Sequence, residues 1–85
     1  MKTGDVVKHK PSGESWLVAA VSPDGKRLIC CGWPESMADV EECELEREAS
    51  DEYAVSLANR VVKECGDQCR GSWAREWLRK RNGGE

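Results

Sequence analysis

Ser15-Trp16-Leu17-Val18-Ala19-Ala20-Val21, followed by Ser22-Pro23-Asp24-Gly25 and then by Arg27-Leu28-Ile29-Cys30-Cys31, is the stretch whose reading decides the fold. Two apolar runs of strand length flank a four-residue turn signal. Pro23 brings the fixed φ of about −65° that suits the second position of a type I turn, and Gly25 stands where a left-handed residue is needed. The stretch predicts an antiparallel hairpin. Its strands are apolar on both faces, because Trp16, Val18 and Ala20 alternate with Leu17, Ala19 and Val21, and Leu28 and Cys30 with Ile29 and Cys31. An antiparallel sheet with one wet face alternates with polar residues instead. Something must therefore cover the second face, either helices of this chain or a partner protein.

Upstream, Gly4-Asp5-Val6-Val7-Lys8-His9-Lys10 reads as a first short strand, ended by Pro11-Ser12-Gly13, where proline offers no ladder donor and glycine turns cheaply. Downstream of Gly32-Trp33-Pro34 the chain becomes acidic, with a short apolar touch at Met37, Ala38 and Val40. In Glu44-Leu45-Glu46-Arg47-Glu48 three glutamates share one face of a strand and Leu45 takes the other, the pattern of a solvated edge strand. Charged edges block unwanted strand pairing, which is reason enough for these glutamates without any partner.

The second half changes period. Tyr53, Ala54, Leu57, Ala58, Val61, Val62 and Cys65 recur at helical spacing, Ser50 is a good N-cap, Asp51 and Glu52 suit the positive end of a helix, and Gly66 ends it. The stripe resumes at Cys69, Trp73, Ala74, Trp77 and Leu78. One helix over 50–81 is the competing reading. A strict four-residue repeat drifts by about 40° per step against a turn of 3.6 residues, so the stripe of one long helix would wrap away from a compact core. Two helices, 50–65 and 68–81, are expected, with a fraying, cation-rich end at Arg79-Lys80-Arg81. The fold class is α+β: a β part over residues 1–48 with about four strands, then two helices, in a single domain of 85 residues.

Four tryptophans and no phenylalanine leave Trp16, Trp33, Trp73, Trp77 and Tyr53 as the large ring systems, and a buried indole N–H needs a partner. No stretch approaches the roughly 20 apolar residues of a membrane span, and the opening leads into charged residues rather than an export segment, so a soluble cytoplasmic protein is expected. Five cysteines, an odd number, point to reduced thiols rather than a disulfide scaffold. The net charge of −3 is segregated. Residues 1–34 hold five Lys/Arg against three acids, residues 35–57 one against nine, and residues 58–85 seven against four. Such a field can select partners by charge, although charge runs are also simply solvated faces.

The Gly4-Asp5-Val6-Val7 opening, the Lys10-Pro11-Ser12-Gly13-Glu14 turn, Trp16 leading a strand, Cys31-Gly32-Trp33-Pro34-Glu35 and Cys43-Glu44-Leu45 resemble the small SH3-like barrel proteins of bacteria and their phages. The resemblance spans residues 4–48. It implies an SH3-like antiparallel β-barrel or curved sheet and a protein-binding or nucleic-acid-binding role, and it brings no catalytic residues.

Chemistry is sparse. His9, the single histidine, lies between two lysines and outside any nucleophile motif, so no enzymatic activity is expected and no cofactor is implied. A zinc site would need Cys31 (or Cys30) with Cys43, Cys65 and Cys69. Cys30 and Cys31 point to opposite faces of a strand, Cys65 and Cys69 are four apart rather than in Cys-x-x-Cys spacing, and both continue the apolar stripe, so buried thiols are the simpler reading. Arg70, Arg75, Arg79, Lys80 and Arg81 beside Trp73 and Trp77 would suit phosphates and bases, against a sequence pI near 5.2 and tryptophans at core spacing. The combination favours a non-enzymatic protein-interaction module of phage or prophage origin, binding a host protein through an acidic surface at Glu41, Glu42, Glu44, Glu46 and Glu48 together with Trp33. Nucleic-acid binding by the basic C-terminal helix and a zinc-stabilised domain are the alternatives, and homodimerisation through Trp33 or the last tryptophan pair is a further expectation.

Overall fold

The computed structural model describes residues 1–31, 37–66 and 69–81. Five strands and two helices follow in the order β1 (Val6–His9), β2 (Glu14–Val21), β3 (Arg27–Cys30), β4 (Met37–Asp39), a 3-10 turn (Val40–Glu42), β5 (Cys43–Arg47), α1 (Asp51–Cys65) and α2 (Cys69–Arg81). The strands form one antiparallel sheet in the order β4-β3-β2-β1-β5, open at both edges among the described residues. One strand more than the sequence suggested is present. β4 escaped detection because it is three residues long with only Ala38 buried, too short for alternation to register.

The hairpin turn forms as its chemistry requires. The Gly25 N–H donates to the Ser22 carbonyl at 2.9 Å and Gly25 sits at φ 76°. Asp24 Oδ1 accepts from the Ser22 hydroxyl at 2.5 Å and from the Lys26 N–H at 2.9 Å, tying the turn to itself.

β2 is the axis of the sheet. Its first half pairs with β1, placing Val7 opposite Trp16, and its second half with β3, placing Val21 opposite Leu28. The β2–β3 register shifts between Val18 and Ala20, and this bulge decides how the doubly apolar strand is buried. Trp16, Val18 and Val21 join Val7, Leu28, Ala38, Cys43 and Val40 on one side of the sheet. Leu17, Ala19 and Ala20 join the helices on the other. Two small neighbouring side chains on the helix side let α1 and α2 approach closely, through Leu57, Ala58, Val61 and Ala74. The helices of this chain, rather than a partner protein, cover the second face of the hairpin.

α1 begins at Ser50, whose Oγ accepts the Tyr53 N–H at 3.2 Å. It ends at Gly66, at φ 58°, whose N–H reaches the Val62 carbonyl at 3.0 Å. α2 then returns antiparallel to α1. Its first turn lies against the end of α1, where a Cβ on Gly71 would stand 2.0 Å from the Gly66 carbonyl oxygen. Its last turn lies against the start of α1, where Arg81 Nη2 meets Asp51 Oδ2 at 2.9 Å. Among the described residues no helix is long and apolar enough to cross a membrane.

Candidate functional site

The acidic margin is built by the 3-10 turn, which leads on from β4 at one edge of the sheet, and by β5, which forms the other edge. Glu41 and Glu42 are exposed on the turn, and Glu44 and Glu46 on β5, with Glu48 just beyond its end and also exposed. The strand holds its place through its ladder to β1, with Leu45 opposite Val7, Glu44 opposite Lys8 and the buried Cys43 opposite His9. The Lys10 N–H adds a bond to the Glu42 carbonyl at 2.9 Å.

Every residue of β5 after Cys43 is exposed, and Leu45 keeps 44% of its surface in water. This departs from a half-buried edge strand. The apolar face ends at Cys43, so β5 presents both of its faces as well as its free edge.

Glu46 accepts the Ser15 hydroxyl at 2.6 Å, and Glu48 faces the Lys2 ammonium at 3.9 Å. The carboxylates of Glu41, Glu42 and Glu44 make no hydrogen bond or ion pair among the described residues. Trp33, expected to share this surface, lies outside the described residues.

The basic helix is differently arranged. Trp73 and Trp77 pack half-buried against the helix-side core, so much of each ring is already covered. Arg79 pairs with Glu76, which holds the Glu76 carboxyl below the usual carboxylate range through the hydrogen bond it receives. Arg81 pairs with Asp51 and lies 5.6 Å from the centre of the Trp77 ring. Arg75 and Lys80 are exposed, and Arg70 is half-buried. Four of the five cations, Arg70, Arg75, Arg79 and Arg81, take part in interactions of the chain, and both indoles are half-buried, which weakens α2 as a surface for phosphates and bases.

The four-thiol site is not assembled. Cys43 belongs to the cluster on one side of the sheet, whereas Cys31 and Cys65 pack with the helices on the other. A sheet stands between them, so one ion cannot take Cys31, Cys43, Cys65 and Cys69 together. No group of three or more metal-ligating side chains occurs among the described residues. Burial pushes both the Cys31 and Cys43 thiols up, keeping them protonated.

Two features were missed by reading the sequence. His9 is half-buried, stacked on Trp16 at 4.2 Å with 16° between the planes, and its Nδ1 lies 2.8 Å from the Ser12 hydroxyl. The ladder register of His9 opposite Glu14 brings the two rings together, a consequence of hairpin length that could have been counted from the turn. Asp5 is buried at 2% exposure, and nothing in its local sequence distinguishes it from a surface carboxylate.

Compared with family models, with curated proteins and with solved structures, the chain matches none.

Proposed function

We propose that this chain is a small non-enzymatic interaction module that engages a basic surface of a protein partner through its acidic margin. The observation that carries this reading is the exposure of Glu41 and Glu42 on the 3-10 turn and of Glu44, Glu46 and Glu48 on and just beyond the edge strand β5, three of them without a hydrogen bond or ion pair among the described residues. Exposed carboxylates left unneutralised at an edge cost self-repulsion, which a basic partner would relieve while gaining speed and selectivity of association. In contrast, the C-terminal cations Arg79 and Arg81 are already paired with acids of the same chain.

We further propose that the sheet is an SH3-like barrel opened along one seam. Three features support this: a five-stranded meander whose last strand returns to the first, a long β2 shared by both halves, and a bulge that bends it. A phage- or prophage-encoded factor covering a basic site on a host protein is the concrete form of the proposal.

Affinity capture of the tagged protein from bacterial lysate, with and without nuclease, tests it. A stoichiometric protein retained after nuclease, and lost on changing Glu44, Glu46 and Glu48 to lysine, is the expected result. Retention of nucleic acid, with the proteins lost on nuclease treatment, would move the function to α2.

A further inference from the structure

β5 is the last strand of the order β4-β3-β2-β1-β5, and among the described residues no strand lies beyond it. The phase of its ladder with β1 decides which backbone groups face outwards. In an antiparallel pair, alternate residues exchange both of their bonds with the residue opposite. The Lys10 N–H bonded to the Glu42 carbonyl marks one such pair, so the next is Lys8 with Glu44. Leu45, one residue on and opposite Val7, therefore turns its N–H and carbonyl away from β1, towards the free edge.

The side chains alternate in step. Leu45 stands on the face of Val7 and keeps 44% of its surface in water. Glu44 stands on the face of Lys8. Glu46 reaches that same face, where it accepts at 2.6 Å the hydroxyl of Ser15, the residue opposite Lys8 in β2. The edge thus offers a backbone donor and acceptor at Leu45, an exposed apolar side chain on one face, and a carboxylate on either side of it on the other.

A second copy of the chain does not suit this edge. Two β5 strands paired antiparallel about Leu45 would set Glu44 against Glu46 twice, and like charges directly opposite are destabilising. The complement is a strand of opposite charge pattern. β1 already shows it on the inner side of β5, with Lys8 opposite Glu44.

We propose that β5 receives an extended segment of the protein partner as an added antiparallel strand, with an apolar residue opposite Leu45 and a Lys or Arg opposite each of Glu44 and Glu46. Strand addition draws affinity from main-chain bonds and specificity from alternate side chains. Arg47, the cation of the strand itself, requires an uncharged residue opposite it. This inference rests on the reading of the acidic margin as a surface for a basic partner, and it adds how the partner's backbone is held.

The test is NMR titration of the full chain with acetyl-Thr-Lys-Val-Lys-Thr-amide and two N-methylated forms of it. One is methylated on the valine, whose N–H would face Leu45, the other on the first lysine, whose N–H would face away. Saturable binding at millimolar peptide is expected, with amide exchange slowed at least about fivefold at Leu45 and unchanged at Glu44, which is already bonded to Lys8. The valine-methylated form should bind at least about tenfold more weakly than the parent, and the lysine-methylated form within about threefold of it. Leu45→Pro removes the outward donor and no ladder bond, so the fold should hold while the parent peptide binds about tenfold more weakly. Absence of saturable binding, or equal binding of the two methylated forms with Leu45 exchange unchanged, would overturn strand addition and leave attraction to a basic partner standing. Equal binding of acetyl-Thr-Glu-Val-Glu-Thr-amide would overturn both. Slower Leu45 exchange on concentrating the chain alone would give the edge to a second copy and overturn the proposal.

Discussion

The carboxylate of Asp5 accepts the backbone N–H of Ala49 at 2.8 Å, across 44 residues of sequence. The same side chain takes the Lys2 N–H at 3.0 Å and the Lys2 ammonium at 3.2 Å. One buried acid thus joins the start of the chain to the link between β5 and α1, and so fixes where the helices leave the sheet. Beside it Gly4, at φ 93°, donates its N–H to the Val18 carbonyl at 2.9 Å and leaves room for the Tyr53 ring, two atoms of which would stand 3.1 and 3.3 Å from a Cβ placed there. This pair explains why glycine and aspartate precede β1.

Asp5→Ala removes the buried acceptor of the part-buried Ala49 N–H and Lys2 ammonium, and should destabilise the fold by about 3 kcal/mol in urea unfolding. Asp5→Asn keeps one acceptor oxygen and should cost less. Gly4→Ala places a Cβ 3.0 Å from Ala49 and 3.1 Å from the Tyr53 ring at a positive φ, and should cost about 1–2 kcal/mol.

Among the described glycines, Gly71→Ala is expected to be the most damaging. Its Cβ would stand 2.0 Å from the Gly66 carbonyl oxygen, a backbone atom held by the end of α1. The helices must separate to admit it, at about 3 kcal/mol or more. Circular dichroism should show retained helix content with a lowered Tm. Ser50→Ala, which loses only the N-cap bond to Tyr53, should cost about 1 kcal/mol by the same measurement.

Asp24 should titrate below the ordinary carboxylate range, because its ionised form accepts the Ser22 hydroxyl first and the Lys26 N–H second. A carboxyl depressed in the folded state adds stability above its unfolded pKa and loses it as pH falls through the lower, folded value. The contribution is therefore intact at neutral pH and disappears only in strong acid. A carboxyl-carbon NMR titration of Asp24 checks the direction, and Asp24→Asn should remove this part of the acid sensitivity.

Cys31 and Cys43 should alkylate slowly at neutral pH, since burial favours the thiol over the thiolate in both. For these groups the linkage runs the other way. A folded pKa raised above the unfolded value gives stability that is present at neutral pH and lost as pH climbs through the raised value. Iodoacetamide labelling read by mass spectrometry should show both lagging behind free cysteine and accelerating in denaturant.

Local chemistry made parts of this fold legible. The Ser22–Gly25 turn, the Ser50 cap and the Gly66 stop each depend on residues within a few positions of one another, and each forms as its residue types dictate. What stayed hidden was set by distant partners. The bulge that sends Ala19 and Ala20 to the same side depends on the register with β3, β4 exists only because β3 lies beside it, and Asp5 is buried because Ala49 needs an acceptor. For the acidic margin, the exposure of Glu44 and Glu46 followed from alternation, whereas the exposure of Leu45 did not, because no element lies over that end of the sheet. The cysteines were ambiguous for a related reason: only the path of the chain decides that Cys43 and Cys65 face opposite sides of the sheet.

The acidic margin is the feature on which the proposed interaction depends. The decisive measurement is the affinity of the captured partner for the wild-type chain and for the chain with Glu44, Glu46 and Glu48 changed to lysine, at low and at physiological salt. Loss of binding by at least about a hundredfold in the variant, together with wild-type affinity that weakens as salt rises, is predicted. Equal affinity of the two chains, independent of salt, would contradict it.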